Sequence, residues 1–544
     1  MFHSSLRRRM ALLVVAVALV AGCSTKTDNG SKGTTPAKDE GPPQSGGTFN
    51  IGLDAETDGW NPTASQWAGA AYSVGQTVFD PLVAFGADNK THPVLAKSVT
   101  PNAANTVWTI KLRPGITFHD GEPLNAKAVK LQLDKDKASF LVGQAFRPMK
   151  SVDVVDNLTV KVNMSQPWVA FTSALAGQAG FVAAPKQLNA SGAGATDHPI
   201  GTGPYVFKEW VRDDHLTVTK NPKYWRKGVT FPAQITFRVI PDDQTRLASL
   251  QSGQLDLMST IVASTILQAR RDSSLHTQEA DTDPTTMIMF NTAVAPFSDL
   301  RLRQAVSYAI DQKQLIQTVG RGLGKQSHGP YLPGSPWYGP NGYPTKPDLT
   351  KAKSLVAAYK RDKGVSGDVK FTLGCTPTPS NTQAMELIKT QLSKAGINAN
   401  LKYTEQATYI NNALQGNFQA NCWVQLGASD PDGDSIWWNS TNANPVGSVA
   451  LNFMRLKDPK IDAALQEGRT NPDVAKRKAA YDDVWKRFAA DVPYAWLAHA
   501  RISVMWSART HGIGDAKLPD GTKPLLFRGA IPTVIPLSSI WLSR

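Results

Sequence analysis

The chain is 544 residues long, 41% hydrophobic and 19% charged, with a formal net charge of +14. The length corresponds to roughly three to four domains or two large lobes, and the composition excludes a wholly disordered chain, a collagen, a small disulfide scaffold and a polytopic membrane protein. The basic residues are scattered, which argues against nucleic acid as a partner; the densest run, Lys476-Arg477-Lys478, falls on a helical stretch and reads as a solvated face.

Residues 1–23 read MFHSSLRRRMALLVVAVALVAGC. The basic patch Arg7–Arg9 precedes an apolar run, Met10–Ala21, with the length of a signal h-region and too short to span a bilayer comfortably. The small residues before Cys23 resemble the lipobox of bacterial lipoproteins, which are cleaved before the cysteine and lipidated on it. That resemblance implies a signal peptide at 1–22, lipidation of Cys23 and attachment to the membrane through the lipid. Loss of the three arginines leaves the mature chain at about +11, a sign that suits a protein held near anionic lipid. Residues 24–46 contain almost nothing apolar, so 23–46 is expected to be a flexible tether with a typical reach of ~25 Å.

A strand is expected to begin at Thr48. WTIKLRP (108–114) alternates, with Trp108, Ile110 and Leu112 on one face, and a helix opens near Asn125. Residues 205–219 read as a hairpin turning at Asp213-Asp214. ITFRVI (235–240) is another alternating strand, followed by a helix at about 244–252 and a strand at 255–258. The clearest helical pattern is 298–319, with Ser298 or Asp299 as cap and Gly320 as its end. A Gly/Pro-rich loop fills 320–344. Strand 369–374, helix 382–395 and strand 397–403 form a βα pattern. Strand 420–426 runs into the Asp/Gly/Trp loop 427–442, followed by helices at about 458–468 and 473–490 and a strand near 494–505. Strands and helices interleave without a 20–50-residue repeat, which argues for mixed α/β lobes.

Catalytic and metal signatures are lacking. There is no HExxH, no zinc-type Cys/His cluster and no GxSxG, and the glycines of 320–325 have the wrong spacing for a nucleotide loop. Asp430, Asp432 and Asp434 alternate like the start of a calcium loop, but neither the glycine nor the closing glutamate is in place. No metal, no cofactor and no enzymatic activity are expected. Besides Cys23 there are two cysteines, Cys375 and Cys422, both in strand-like sequence. In an oxidising compartment they can pair if the strands are neighbours; otherwise they are two buried thiols. Fourteen tryptophans are present, and those in loop-like or strand-end sequence either fill lobe cores or stack on a ligand.

Several segments combine in one resemblance. IGTGPYVFKEW (200–210) with KNPKYW (220–225) resembles the signature of the extracellular solute-binding proteins of the peptide/nickel class, family 5, which serve ABC importers. WTIKLRPGITFHDGEPLNAKAVK (108–130), TRLASLQSGQLDLM (245–258), FNTAVAPFSDLRLRQAVSYAIDQKQL (290–315) and YGPNGYPTKPDLTKAKSL (338–355) are similar to further blocks of that family. The resemblance implies an α/β fold, a two-lobed clamp of the periplasmic-binding-protein type II (cluster C) kind with an extra subdomain. Lobe I would comprise 47–75, 200–292 and 503–544, the extra subdomain 76–199 and lobe II 293–502, with strand crossings near 292 and 502 as the hinge. The expected partners are a small solute, peptide-like or saccharide, and the permease and ATPase subunits, with the receptor itself a monomer.

By family position, Gln66 and Trp67 from the first lobe and Glu405, Gln406, Gln425, Gly427, Ala428 and Ser429 from the second should face the cleft, with Trp423, Trp437 and Trp438 as further candidates. Peptide-binding members hold the peptide's α-ammonium with a carboxylate three residues before the Asp of a late Asp-Pro. Here that dipeptide is Asp430-Pro431 and the matching residue is Gly427. An ammonium enclosed without a counter-charge is costly, so another acid such as Glu405 would have to substitute, or the ligand is not an N-terminal amine. A saccharide or glycoconjugate receptor, and a receptor fold reused as an envelope regulator or scaffold, are the alternatives.

Overall fold

Two long strands, Leu275–Phe290 and Tyr494–Ser507, organise the molecule. In this computed structural model, which describes residues 41–139, 142–425, 427–526 and 536–543, they pair antiparallel at the centre of an eleven-stranded mixed sheet. On one side the order outward is Ala420–Gln425, Val369–Cys375 and Ile397–Tyr403. On the other it is Leu257–Thr260, Thr48–Leu53, Gln234–Val239, His215–Lys220 and Tyr205–Val211, while the short strand Lys325–Gln326 pairs along Tyr494–Ser507.

The pairing of the two central strands is interrupted. It runs from Leu275 opposite Ser507 to Asp281 opposite Arg501, then resumes at Thr285 opposite His499. Pro284, which has no N–H to donate to a ladder, lies in the gap. The strands change cores at the same place. Ala280 and Ile502 pack with Phe49, Ile51 and Phe237. Met287, Ile288 and Leu497 pack with Leu302, Phe371 and Trp485. The change from one core to the other thus lies at 282–284, ahead of residue 292, by which the strand has already ended at Phe290.

A third core runs from Leu82 to Ala184 around an antiparallel sheet ordered Ala96–Pro101, Val107–Leu112, Thr159–Met164 and Met149–Asp156. Alternation places Trp108, Ile110 and Leu112 inward, and Asn125 caps the helix Ala126–Ala138 by accepting from the Ala128 N–H at 3.0 Å. This unit is fixed to the first lobe. Phe181, Ala183 and Leu188 reach into the first lobe's core. The buried Asp80 accepts from Thr202 (2.9 Å), Tyr224 (3.0 Å) and Trp225 (2.9 Å). Burial pushes the Asp80 carboxyl up, and the three donors pull it part of the way back.

The segment 298–319 is two helices, Leu300–Ala309 and Gln312–Thr318. Ile310 is extended, and Asp311 caps the second helix by accepting from the Gln314 N–H at 2.9 Å. A local side-chain acceptor competes here with helix continuation, while the apolar spacing runs on unbroken through it. Cys375 and Cys422 are joined as a disulfide with Cα atoms 5.2 Å apart. Their strands run parallel with Gly374 opposite Asn421, so the cysteines are the next residues on neighbouring strands. Among the described residues no helix is long and apolar enough to cross a membrane; the apolar run 10–21 and Cys23 lie outside them.

Candidate functional site

Parallel strands present ligands with their carboxyl ends, where loops and unpaired backbone groups collect. In the first lobe Thr48–Leu53 runs parallel to Gln234–Val239 and Leu257–Thr260, and Thr260 lies opposite Ser503. In the second lobe Val369–Cys375 runs parallel to Ile397–Tyr403 and Ala420–Gln425, and Gln425 lies opposite Thr285. Thr285 closes the interruption at 282–284 on one side, and Ser503 lies opposite Glu279, two pairs from the last pair on the other side, Asp281 with Arg501. The carboxyl ends of both lobes therefore point at the place where the chain crosses between them, the position at which parallel strands take ligands.

The loop after Gln425 lines the second-lobe side and is held from behind. Gly427 has φ +68°, and a Cβ there would stand 3.1 Å from the Pro330 carbonyl oxygen and 3.2 Å from Asp283 Cβ. No side chain is accommodated without movement, and only glycine adopts this backbone freely. The Ala428 N–H donates to Asp434 Oδ2 (2.8 Å), its carbonyl accepts from the Tyr331 hydroxyl (2.9 Å), and the Ser429 carbonyl accepts from the Trp337 indole (3.0 Å). Behind these, Arg477 Nη2 bonds both oxygens of Asp430 at 2.7 and 2.9 Å. Arg469 Nε donates to Asp432 Oδ1 at 2.7 Å. The alternating aspartates are thus engaged by donors of the protein itself, two arginines and the Ala428 amide among them.

The expected site residues fall into two groups. Gln66, Glu405 and Gln406 are exposed, and Trp423, Ala428, Ser429 and Trp437 are half-buried. Glu405 Oε2 accepts from the Thr408 N–H at 3.3 Å at the start of the helix Gln406–Gln415. One face of Trp423 is stacked on Tyr409, with centroids 5.4 Å apart. Gln425 is buried and hydrogen-bonded to Asp434. Two tryptophans expected at the cleft stand in lobe cores instead. Trp438 is 1% exposed, edge-on to Trp485 and Phe488. Trp67 packs among Tyr72, Phe79 and Phe181 and donates its N–H to the Gly59 carbonyl.

Tyr331, Trp337 and Arg469, which hold the loop, are not singled out by the sequence reading, and Arg477 enters it only as part of a basic run. The run 476–478 is not a uniform solvated face, because Arg477 shares the inner side of the helix Val474–Asp491 with Tyr481, Val484, Trp485 and Phe488. The helical spacing of 477 with those residues is the signal that could have revealed it.

Asp434 carries a pH dependence. Burial pushes its carboxyl up to about 7, against the bonds from Ala428 and Gln425 that lower it. The folded chain therefore keeps a proton that the unfolded chain has lost, and this group's share of stability falls as pH rises from about 4 towards 7. Asp434→Asn should remove that slope. The melting temperature of the variant relative to the parent should rise by about 2 °C or more between pH 5 and pH 8, read by calorimetry. Parallel profiles would show that Asp434 is already ionised in the folded protein.

Residues 90–448 match the family described as bacterial extracellular solute-binding proteins, family 5, middle region. The glutathione-binding protein GsiB of Pectobacterium atrosepticum is 28% identical over 443 residues, covering 79% of this chain and 84% of that protein. Among solved structures, the fold is similar to DppA from Helicobacter pylori in complex with the peptide STSA, with a TM-score of 0.79, 21% identity and coverage of 92% of this chain and 99% of that one. It is also similar to NikZ from Campylobacter jejuni in complex with Ni(L-His), with a TM-score of 0.76, 23% identity and coverage of 90% and 97%.

Proposed function

We propose, because the chain belongs to the bacterial extracellular solute-binding proteins of family 5, that it is the receptor of an ABC importer for a peptide or peptide-like solute. The two lobes close about the crossing strands at 282–284, enclose the solute and present a closed form to the permease and its ATPase. A ligand drives closure only by touching both lobes. The observation that carries this reading is the convergence of parallel-strand carboxyl ends from both lobes on one crossing point. The glutathione-binding relative and the peptide-bound neighbour support a peptide-like cargo.

Ligand contact falls to Gln66 from the first lobe and to Glu405, Gln406, Ala428, Ser429 and the outer faces of Trp423 and Trp437 from the second. In this reading Cys23 carries the lipid, 23–46 is the tether, and the receptor works as a monomer outside the cytoplasm. A saccharide is the second reading, favoured by the half-buried Trp423 and Trp437.

Native mass spectrometry of the chain purified without refolding, followed by thermal-shift titration with reduced glutathione, di- and tripeptides and oligosaccharides, tests the proposal. A co-purified peptide mass, or stabilisation by peptides alone, is the expected result. A hexose-spaced mass with no response to peptides would move the assignment to saccharides. No response to any solute would favour an envelope scaffold.

A further inference from the structure

Among the described residues the third core meets the second lobe along a seam built around a buried charge. Trp168 is 1% exposed and its indole N–H donates to Asp432 Oδ2 at 2.7 Å. The ring is fixed from the other side by Phe146 and Phe171, with centroids 5.7 and 5.2 Å away. The Trp168 carbonyl accepts from the Trp108 indole at 3.1 Å, and its N–H donates to the Asn105 carbonyl at 3.0 Å. On the lobe side, Asp432 is 5% exposed and its other oxygen is held by Arg469. The seam continues through the Val169 N–H to the Arg469 carbonyl (3.0 Å), Gln466 to Gln166 (2.9 Å) and Arg147 to Thr441 (3.4 Å).

Two facts give this seam a role. The third core is fixed to the first lobe through Asp80 and the side chains around Phe181, so separation of the two lobes breaks the seam. Asp432 also sits in the turn behind the cleft loop: its own N–H donates to Asp430 Oδ1 at 3.0 Å. We propose that Trp168 is a positioning residue, the latch by which the extra subdomain grips the second lobe and holds the loop 427–435 in its ligand-facing form when the lobes are together. A charge-assisted bond to a desolvated carboxylate is strong when made and leaves a costly group behind when broken, so opening and loop disorder are coupled. This rests on the clamp reading of the molecule, but it needs no ligand to be identified.

Hydrogen–deuterium exchange on the full-length chain without added solute tests it with Trp168→Phe, which keeps the ring and removes only the donor. Exchange at the Val169 N–H and along 428–435 should quicken by about tenfold, with the amides of Val160, Val162 and Phe371 unchanged. An unchanged seam, or equal acceleration across the third core, would overturn the proposal, the second by showing that Trp168 merely supports its own core. Should that variant fail to fold, Gln166→Cys with Gln466→Cys reads the same contact. A short bismaleimide, which spans more than a disulfide can, should cross-link the pair and slow exchange along 428–435, and a pair that does not cross-link or a cross-link that leaves the loop unaffected would count against the latch. A solute screen that finds no ligand would undermine the receptor assignment and leave these exchange results standing.

Discussion

Arg477→Met is expected to destabilise the protein by about 3–5 kcal/mol, because it strands a buried carboxylate. Asp430 and Arg477 have side chains that are each 8% exposed. Burial raises the Asp430 carboxyl above its ordinary value, and Arg477 opposes this through charge and hydrogen bonds without cancelling it. With the guanidinium gone, the Asp430 carboxylate keeps the Asp432 N–H at 3.0 Å. Arg477 also donates to the Gly468 carbonyl at 2.6 Å and lies over the Trp337 ring at 5.1 Å, so methionine fills the space but satisfies neither oxygen. Urea unfolding at pH 7.5 reads the loss. Two controls follow from the cause. The deficit should shrink as pH falls, because the stranded carboxyl takes up a proton, and Asp430→Asn added to Arg477→Met should recover part of it. A loss below about 1 kcal/mol would mean that water replaces the guanidinium and that the pair is not sealed from solvent.

Removal of the disulfide, as Cys375→Ser with Cys422→Ser, is the second large effect. The bridge closes a loop with a sequence separation of 47, for which the chain-entropy relation gives about 4 kcal/mol. The cost should appear as a lower urea midpoint, reproduced in the parent protein by a phosphine reductant. A parent midpoint that ignores the reductant would show that the two thiols are not bonded in the isolated protein. The bridge joins the carboxyl end of Val369–Cys375 to Ala420–Gln425, two strands that end at the cleft. Reduction should therefore also weaken solute binding under conditions where the chain stays folded.

Much of the architecture was legible where side chains repeat with a period. The strand at 107–112, the capped helix after Asn125 and the hairpin of Tyr205–Val211 with His215–Lys220 all stand where alternation or capping put them. The break at Asp311 was not, because both helices keep the same apolar phase across it. Trp67 and Trp438 lie in sequence without a period, so nothing local tells a core indole from a cleft indole. The bond between Trp168 and Asp432 joins positions 264 apart, and such a pairing leaves no trace in either segment alone. Gly427 was legible as a missing carboxylate; its backbone and its crowded surroundings were not.

Those surroundings set how cargo preference can change over descent. One nucleotide separates many glycine codons from aspartate codons, so a lineage could try a carboxylate at 427 often. Each trial would meet a left-handed backbone, the Pro330 carbonyl and Asp283 together, and would cost stability before it conferred any recognition. An acid at this spot requires the Pro330 carbonyl and Asp283 to give way by a few tenths of an ångström and a non-glycine residue to bear the left-handed backbone. Descendants of this receptor should therefore diversify their cargo through the exposed positions around the cleft and keep the glycine.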